Sequence, residues 1–203
     1  MARQLKKERT RRRLLRAVVE IIHAQGPAAL TTTRVTYRAG IAQPTFYVHF
    51  KNMEDALGQV GDWITDELAG AFDLPDPGDS HSNRAVDTLA DVLTRSTRSL
   101  VQDRAVAEVF LRSRWDPTSP LGLRCMAFVE EFRDQMEQLL LKLYPEQSRS
   151  CAPTHAELLV SAVFGLAEGS LDRRIVNLKR AIRVTAHRFG AAIASNASLA
   201  HAA

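Results

Sequence analysis

The sequence predicts an all-α fold. Three observations predict it. Apolar residues recur at i, i+3, i+4 and i+7 spacing along almost the whole chain. Strict apolar–polar alternation, which a half-buried strand needs, is nearly absent. The breaks between periodic stretches carry Pro, Gly, Asp and Ser, residues that stop helices and turn chains. The expected architecture is a small N-terminal unit of three helices followed by a larger helical domain, about nine helices in all, divided as 1–52 and 53–203.

Leu14, Leu15, Val18, Ile21 and Ile22 share one face of a first helix. It should stop at Gln25-Gly26-Pro27, a Gly followed by Pro. Thr31 to Arg38 read as a short second helix with Thr31 as N-cap and Val35 and Ala39 on its apolar side. Gly40 breaks the chain, and Pro44 to Phe50 form a short third helix. Asn52 caps a fourth, whose first turn holds Glu54 and Asp55, as the helix dipole favours. Leu57, Val60, Ile64 and Leu68 continue its apolar face. The segment 73–83, rich in Asp, Pro, Gly and Ser, is a loop by composition. Helices are expected at about 84–101 and 103–115, a break at 116–120, then a long helix at 121–143. That helix carries Met126, Val129, Phe132, Met136, Leu139 and Leu143. After a break at 145–153, two last helices are expected at 154–172 and 174–195. In the final one Ile175, Leu178, Ile182, Thr185, Phe189 and Ala192 are spaced 3, 4, 3, 4 and 3 apart, a short coiled-coil-like seam. The tail from Ser195 is small and polar and is expected to fray.

Composition excludes several classes. At 203 residues, with 45% apolar and 25% charged, the chain is neither disordered, nor collagen-like, nor a disulfide scaffold. Its two cysteines, Cys125 and Cys151, have no CxxC or Cys/His spacing, which suits a reduced cytoplasmic setting and no metal site. No apolar run approaches about 18 residues, so no membrane insertion is expected. The basic N-terminus lacks a signal-peptide core. Enzyme signatures are missing: no GxSxG, P-loop, HExxH or Rossmann glycine set, and Gly165-Leu-Ala-Glu-Gly169 lacks the Lys-Ser/Thr of a phosphate loop. No catalytic residues and no cofactor are therefore expected.

The charge is unevenly placed. The chain totals +4, but residues 1–51 hold eleven Lys/Arg against Glu8 and Glu20, a net of +9, and the remainder carries −5. A basic N-terminal unit on an acidic body points to a polyanion met by the N-terminal end.

The stretch from Thr31 to Lys51 gives that unit its chemistry. Two short helices meeting at Gly40 form a helix-turn-helix, whose second helix fits the major groove of B-DNA. Phe46 and Phe50, four apart, should pack inward, leaving Gln43, Thr45, Tyr47 and His49 to face out. Gln reads adenine edges, and hydroxyl, phenol and imidazole bond phosphates. The N-terminal ends of both helices offer bare N–H groups to phosphate. The arm Lys6-Lys-Glu-Arg-Thr-Arg-Arg-Arg13, with Arg11 and Arg12, is expected to follow the DNA backbone or enter the minor groove.

Lys7-Glu-Arg-Thr-Arg11, Gly26, Arg38-Ala-Gly-Ile-Ala42, Thr45-Phe-Tyr-Val-His-Phe-Lys51 and Asn52-Met-Glu-Asp-Ala-Leu57 together resemble the TetR family of one-component bacterial regulators. The resemblance covers roughly residues 5–60. It implies a two-domain, all-α homodimer that represses transcription from the bacterial cytoplasm, on the nucleoid when bound. Its N-terminal domain would bind a palindromic operator, and its C-terminal domain would bind a small, mostly apolar effector. By position it implies that Thr31 and Thr33 touch phosphate, that Gln43, Pro44 and Thr45 face bases, and that Tyr47, His49 and Lys51 clamp phosphates. Position 44 is commonly small in the family. Here it is Pro, which disfavours α geometry at Gln43 and puts that residue's role in question.

Phe110-Leu-Arg-Ser-Arg-Trp115 and the stretch Leu159 to Asp172 are similar to the FabR/DesT-type subgroup, which responds to acyl-CoA or acyl-ACP and regulates fatty acid genes. That resemblance implies long-chain acyl-CoA as effector. Trp63, Phe110, Trp115, Phe128 and Phe132 would line an apolar tunnel, and Arg112 and Arg114 would meet phosphate or thioester oxygens. The residues alone also permit plain core aromatics and two arginines satisfying helix-end carbonyls.

The small residues Ser161, Ala162, Gly165 and Gly169, with Ile182 and Phe189 on the last helix, suggest a four-helix dimer interface. An intramolecular helix pair is the alternative. Three other functions remain open: a regulator of efflux or catabolic genes answering another hydrophobic compound, a non-specific architectural DNA binder, and an interaction module whose basic end is merely solvated.

Overall fold

The computed structural model describes residues 1–70, 74, 82–145 and 150–200. Among these residues the regular structure is helical throughout. The helices are α1 (Ala2–Gln25), α2 (Thr32–Ala39), α3 (Phe46–His49), α4 (Met53–Ala69), α5 (Ser82–Gln102), α6 (Arg104–Ser113), α7 (Pro120–Leu143), α8 (Ala152–Leu171) and α9 (Leu178–Ala200). Short 3-10 turns at Pro27–Ala29 and Gln43–Thr45 precede α2 and α3. No helix among the described residues is long and apolar enough to cross a membrane. Most of the loop expected at 73–83, and part of the break at 145–153, lie outside the described residues.

Side chains set most helix starts. Thr31 accepts the Arg34 N–H at 3.1 Å to cap α2, and Asn52 accepts the Asp55 N–H at 2.8 Å to cap α4. Asp103 caps α6 by accepting the N–H groups of Ala105 and Val106. The 3-10 turn at Gln43–Thr45 is the local price of Pro44. Ala42 is extended, Thr45 already has right-handed helical dihedrals, and the α-helix itself runs from Phe46.

The packing forms two compact units. The first holds residues 1–67 and 103–128; the second holds 68–102 and 129–203. α4 up to Glu67, α6 and the start of α7 therefore pack with the three N-terminal helices. In the first unit Leu14, Leu15, Val18, Val35, Phe46, Phe50, Ile64 and Phe110 are fully buried. Arg16 of α1 pairs with Asp103. In the second unit α5, α8 and α9 pack together around Leu89, Leu93, Leu159, Val163, Ala186 and Ile193.

The basic segment 6–13 belongs to the first turns of α1, where Glu8 pairs with Arg11 and Arg12 at i+3 and i+4. The seam of the last helix departs from expectation. The last helix starts at Leu178, where Asn177 caps it by accepting the Arg180 N–H at 2.9 Å. Ile175 thus drops out of the heptad seam and covers Gly169 instead, its Cδ1 only 2.7 Å from where a Cβ would stand. The helix also runs on past Ser195 to Ala200.

Candidate nucleic-acid interface

The turn between α2 and α3 is built on Gly40, whose φ of 62° and ψ of 45° lie in the left-handed region. The N–H of Ile41 returns to the Thr36 carbonyl at 2.9 Å, closing the end of α2. Arg13 of α1 adds a 2.6 Å bond to the Ala39 carbonyl, so the turn is held from outside as well. Phe46 and Phe50, both buried, stack at 5.1 Å between ring centroids and fix the inner side of α3.

The outer side follows from this inner side. With Phe46 and Phe50 inward, Gln43, Pro44, Tyr47, Val48 and Lys51 are exposed: two positions, then the same two a turn later, then one more. That is the helical period. The sequence reading placed Gln43, Thr45, Tyr47 and His49 outward, which is a spacing of two and belongs to a strand. Thr45 and His49 are instead half-buried on the flank. Gln43 also reaches back, its Nε2 3.5 Å from Thr32 Oγ1.

His49 differs most from expectation. Its Nδ1 is enclosed and makes no hydrogen bond. Burial, with Lys7 and Arg11 adding to it, pushes the imidazole below its ordinary pKa.

The other expected contacts are distributed around this helix. Thr31 and Thr33 are exposed at the start of α2, and the Thr31 hydroxyl, while capping, keeps its proton to donate. Lys51 is exposed, and its backbone N–H donates to Asp55 Oδ2 at 2.8 Å. Asp55 Oδ1 in turn accepts from Gln59, whose Oε1 accepts from Arg11 Nε at 2.9 Å. The Lys51 N–H and Gln59 hold the Asp55 carboxyl below the usual carboxylate range. The chain Lys51–Asp55–Gln59–Arg11 thereby ties the Lys51 backbone, through α4, to the Arg11 guanidinium of α1. Arg12 is exposed beside Glu8.

Sequence reasoning passed over two exposed side chains. Tyr37, 88% exposed, shares a face of α2 with Thr33, four residues earlier. Val48 is 65% exposed in the middle of the α3 ridge. Strict helical spacing applied from Phe46 and Phe50 finds Val48; for Tyr37 the i, i+4 relation to Thr33 was the available signal.

On another side of α1, Arg9, Arg12, Arg13 and Arg16 join Arg38 and Trp63 along an open groove of about 860 Å³. Its arginines largely serve the fold: Arg38 and Arg16 meet Glu20 at 2.6 and 3.3 Å, and Arg13 holds the α2 end.

The seven residues expected around an effector do not form one wall. Phe110 is buried and meets Phe128 edge-on at 5.8 Å, and Phe132 is buried one turn further along α7. Trp63 lies in the arginine groove instead, its Nε1 3.2 Å from Glu67. Trp115 is 71% exposed. Arg112 pairs with Glu108 at 3.0 Å. Arg114 donates to the Leu111 carbonyl and lies 5.1 Å over the Trp115 ring. Arg114 thus satisfies a helix-end carbonyl, the alternative the residues had left open, whereas Arg112 makes a surface ion pair instead.

Of the expected interface residues, Ile182 is 2% exposed within its own protomer and Gly169 is covered by Ile175, so neither is available to a second copy. Ser161 and Gly165 are exposed, and Ala162 and Phe189 are half-buried. No group of three or more His, Cys, Asp or Glu that could hold a metal occurs among the described residues.

Comparison with known proteins agrees with this geometry. Residues 14–60 match the profile of the bacterial regulatory proteins of the tetR family. A Haemophilus influenzae protein described as an uncharacterized HTH-type transcriptional regulator is 26% identical over 175 residues, which span 84% of this chain and 82% of that one. Among solved structures, the fold is shared with the transcriptional regulator FadR from Bacillus subtilis in complex with stearoyl-CoA. That match has a TM-score of 0.68 and 15% identity, and covers 87% of this chain and 96% of that one. The fold is shared also with the multidrug binding protein EbrR complexed with imidazole, at a TM-score of 0.56 and 19% identity, covering 88% and 93%.

Proposed function

We propose that this chain, a DNA-binding regulator of the tetR family, is a repressor that works as a homodimer on a palindromic operator and yields to a small, mostly apolar effector. One observation carries the DNA half of this reading: the exposed ridge Gln43, Pro44, Tyr47, Val48 and Lys51 standing on buried Phe46 and Phe50 in a unit of strongly positive charge. A helix of this size fits the major groove, and its flanking hydroxyls and cations suit phosphates on either side. In this reading Gln43, Pro44 and Thr45 face bases. Thr31, Thr33, Tyr47, His49, Lys51, Arg11 and Arg12 engage the backbone.

A single recognition helix reads too few bases for specificity, whereas two at about 34–36 Å read a pair of half-sites. The small-residue face of α8 around Ser161, Ala162 and Gly165, with half-buried Phe189 of α9 in the same unit, is the interface we favour. Two free cysteines, one of them buried, suit the reducing bacterial cytoplasm, with the protein on the nucleoid when bound.

For the effector, long-chain acyl-CoA is the first candidate. A neighbour of the same fold was solved with stearoyl-CoA, and Phe128 of this chain is half-buried against the buried ring of Phe110. The multidrug-binding neighbour supports the second reading, another hydrophobic compound controlling efflux or catabolic genes.

The test is competition. Purified protein is given its best sequence, selected from random DNA, and then excess random duplex. A repressor keeps the selected complex; equal loss from both DNAs makes it a non-specific binder. Oleoyl-CoA or palmitoyl-CoA then weakens the surviving complex. If neither acts and a different apolar compound does, the acyl part of the reading is overturned.

A further inference from the structure

The exposed ridge of α3 has an apolar centre. Gln43, Tyr47 and Lys51 offer polar groups or charge, as a surface helix in a basic unit should. Val48 offers two methyl groups, is 65% exposed, and lies between Tyr47 and His49 on the side away from buried Phe46 and Phe50. Packing does not require it: the core beneath is closed by the two phenylalanines, whose side chains are 0% and 1% exposed. Helix propensity does not favour it either, since a β-branched residue loses side-chain freedom in a helix. Valine therefore puts a stiff, branched apolar group on the exposed centre of the ridge.

In the major groove, base edges present hydrogen-bond donors and acceptors at every pair and one apolar group, the 5-methyl of thymine. A short, stiff, branched side chain already held by its helix loses little entropy on meeting that methyl, and it has no polar atom to leave unpaired.

We infer that Val48 is a specificity-determining residue that reads a thymine 5-methyl group in each half-site. The inference rests on the operator-binding reading above and adds a chemical requirement: one position per half-site must be thymine because of its methyl group, not its hydrogen-bonding edge. Deoxyuridine keeps that edge and lacks the methyl, which isolates the contact.

The experiment uses the full-length protein and the operator selected from random DNA. Each thymine is replaced singly by deoxyuridine, and affinities are measured for the parent chain and for Val48→Ala. At one thymine per half-site the parent should lose roughly 4-fold, the scale of one buried methyl. Val48→Ala should bind the thymine and deoxyuridine duplexes within 2-fold of each other, with its salt dependence unchanged. Because Val48 is exposed, the variant should melt with the parent, and Val48→Ile should restore the preference for the methyl. If every thymine tolerates replacement, or Val48→Ala keeps the parent's full discrimination, the inference is overturned while operator binding stands. If no sequence is selected at all, the operator reading falls and this inference falls with it.

Discussion

The exposed ridge of α3 and the exposed stripe of α8 are built from opposite materials. The α3 ridge carries an amide, a proline ring, a phenol, an ammonium and one valine in a unit whose net charge is positive. The α8 face around Ser161 and Gly165 is made of small residues, with Leu158 49% exposed at its edge and the carboxylates of Glu157 and Glu168 at its two ends. A cationic ridge repels its own copy and attracts a polyanion. A small-residue face with carboxylates at its ends has nothing to offer a polyanion but lets another backbone come close. What each face lacks identifies its partner as much as what it holds.

The most severe way to break this contrast is to put bulk and charge on α8. A Cβ at Gly165 meets nothing within 4 Å in the protomer, so Gly165→Arg should keep the parent's helix content by circular dichroism. Sedimentation should find a monomer, and affinity for the two-half-site operator should fall by roughly 100-fold or more as the second attachment is lost. A stable dimer with full affinity would place the interface elsewhere.

A milder change falls on the α3 side. Lys51 is held at the ridge end through its backbone bond to Asp55, so Lys51→Ala removes a cation without disturbing that bond. Binding should weaken about equally on all sequences, and the slope of log affinity against log salt should drop by about one per subunit. A changed base preference at constant slope would make Lys51 a base reader instead.

The smallest effect concerns what steadies the head. Asp103 caps α6 and pairs with Arg16 of α1. Burial opposes its charge, but Arg16 and the α6 N–H groups prevail and hold its carboxyl below the usual range. Asp103→Ala should cost about 1 kcal/mol through the lost cap, seen as a few degrees in Tm. Because the folded pKa is depressed, this contribution is complete above the ordinary carboxylate pKa of about 4 and is lost as pH falls toward the folded value. Parent and variant melting temperatures should therefore converge on acidification. A constant gap would show that the carboxylate's charge contributes nothing there.

Much of the head was legible because its signals are local. Thr31 and Asn52 cap where their hydroxyl and amide predict, Gly40 turns where only glycine does so freely, and Pro44 stands in the 3-10 turn that precedes the third helix. The faces were less legible. Counting alternate residues from Gln43 put His49 outward and missed Val48, because a four-residue helix is too short for its period to stand out in the sequence. The seam from Ile175 failed for a different reason: an apolar residue at heptad spacing packs equally well from a loop, and here it covers Gly169. The aromatic set read as a single tunnel wall was likewise divided by packing, with Trp63 beside the α1 arginines and Trp115 in solvent.

The sequence by itself determined the helices, their caps, the family motif and the placing of positive charge at the N-terminal end. Each of these depends on residues a few positions apart, and the physics of a turn or a cap acts over that range. Tertiary structure alone decided which side of each helix was spent on the fold. It turned the His49 ring half inward and lowered its pKa, brought Val48 to the surface, laid Arg114 against the Leu111 carbonyl, and buried Ile182 while leaving Gly165 open. A helix face acquires its role only when a distant segment packs against it, and spacing along the chain carries no record of which segment that is.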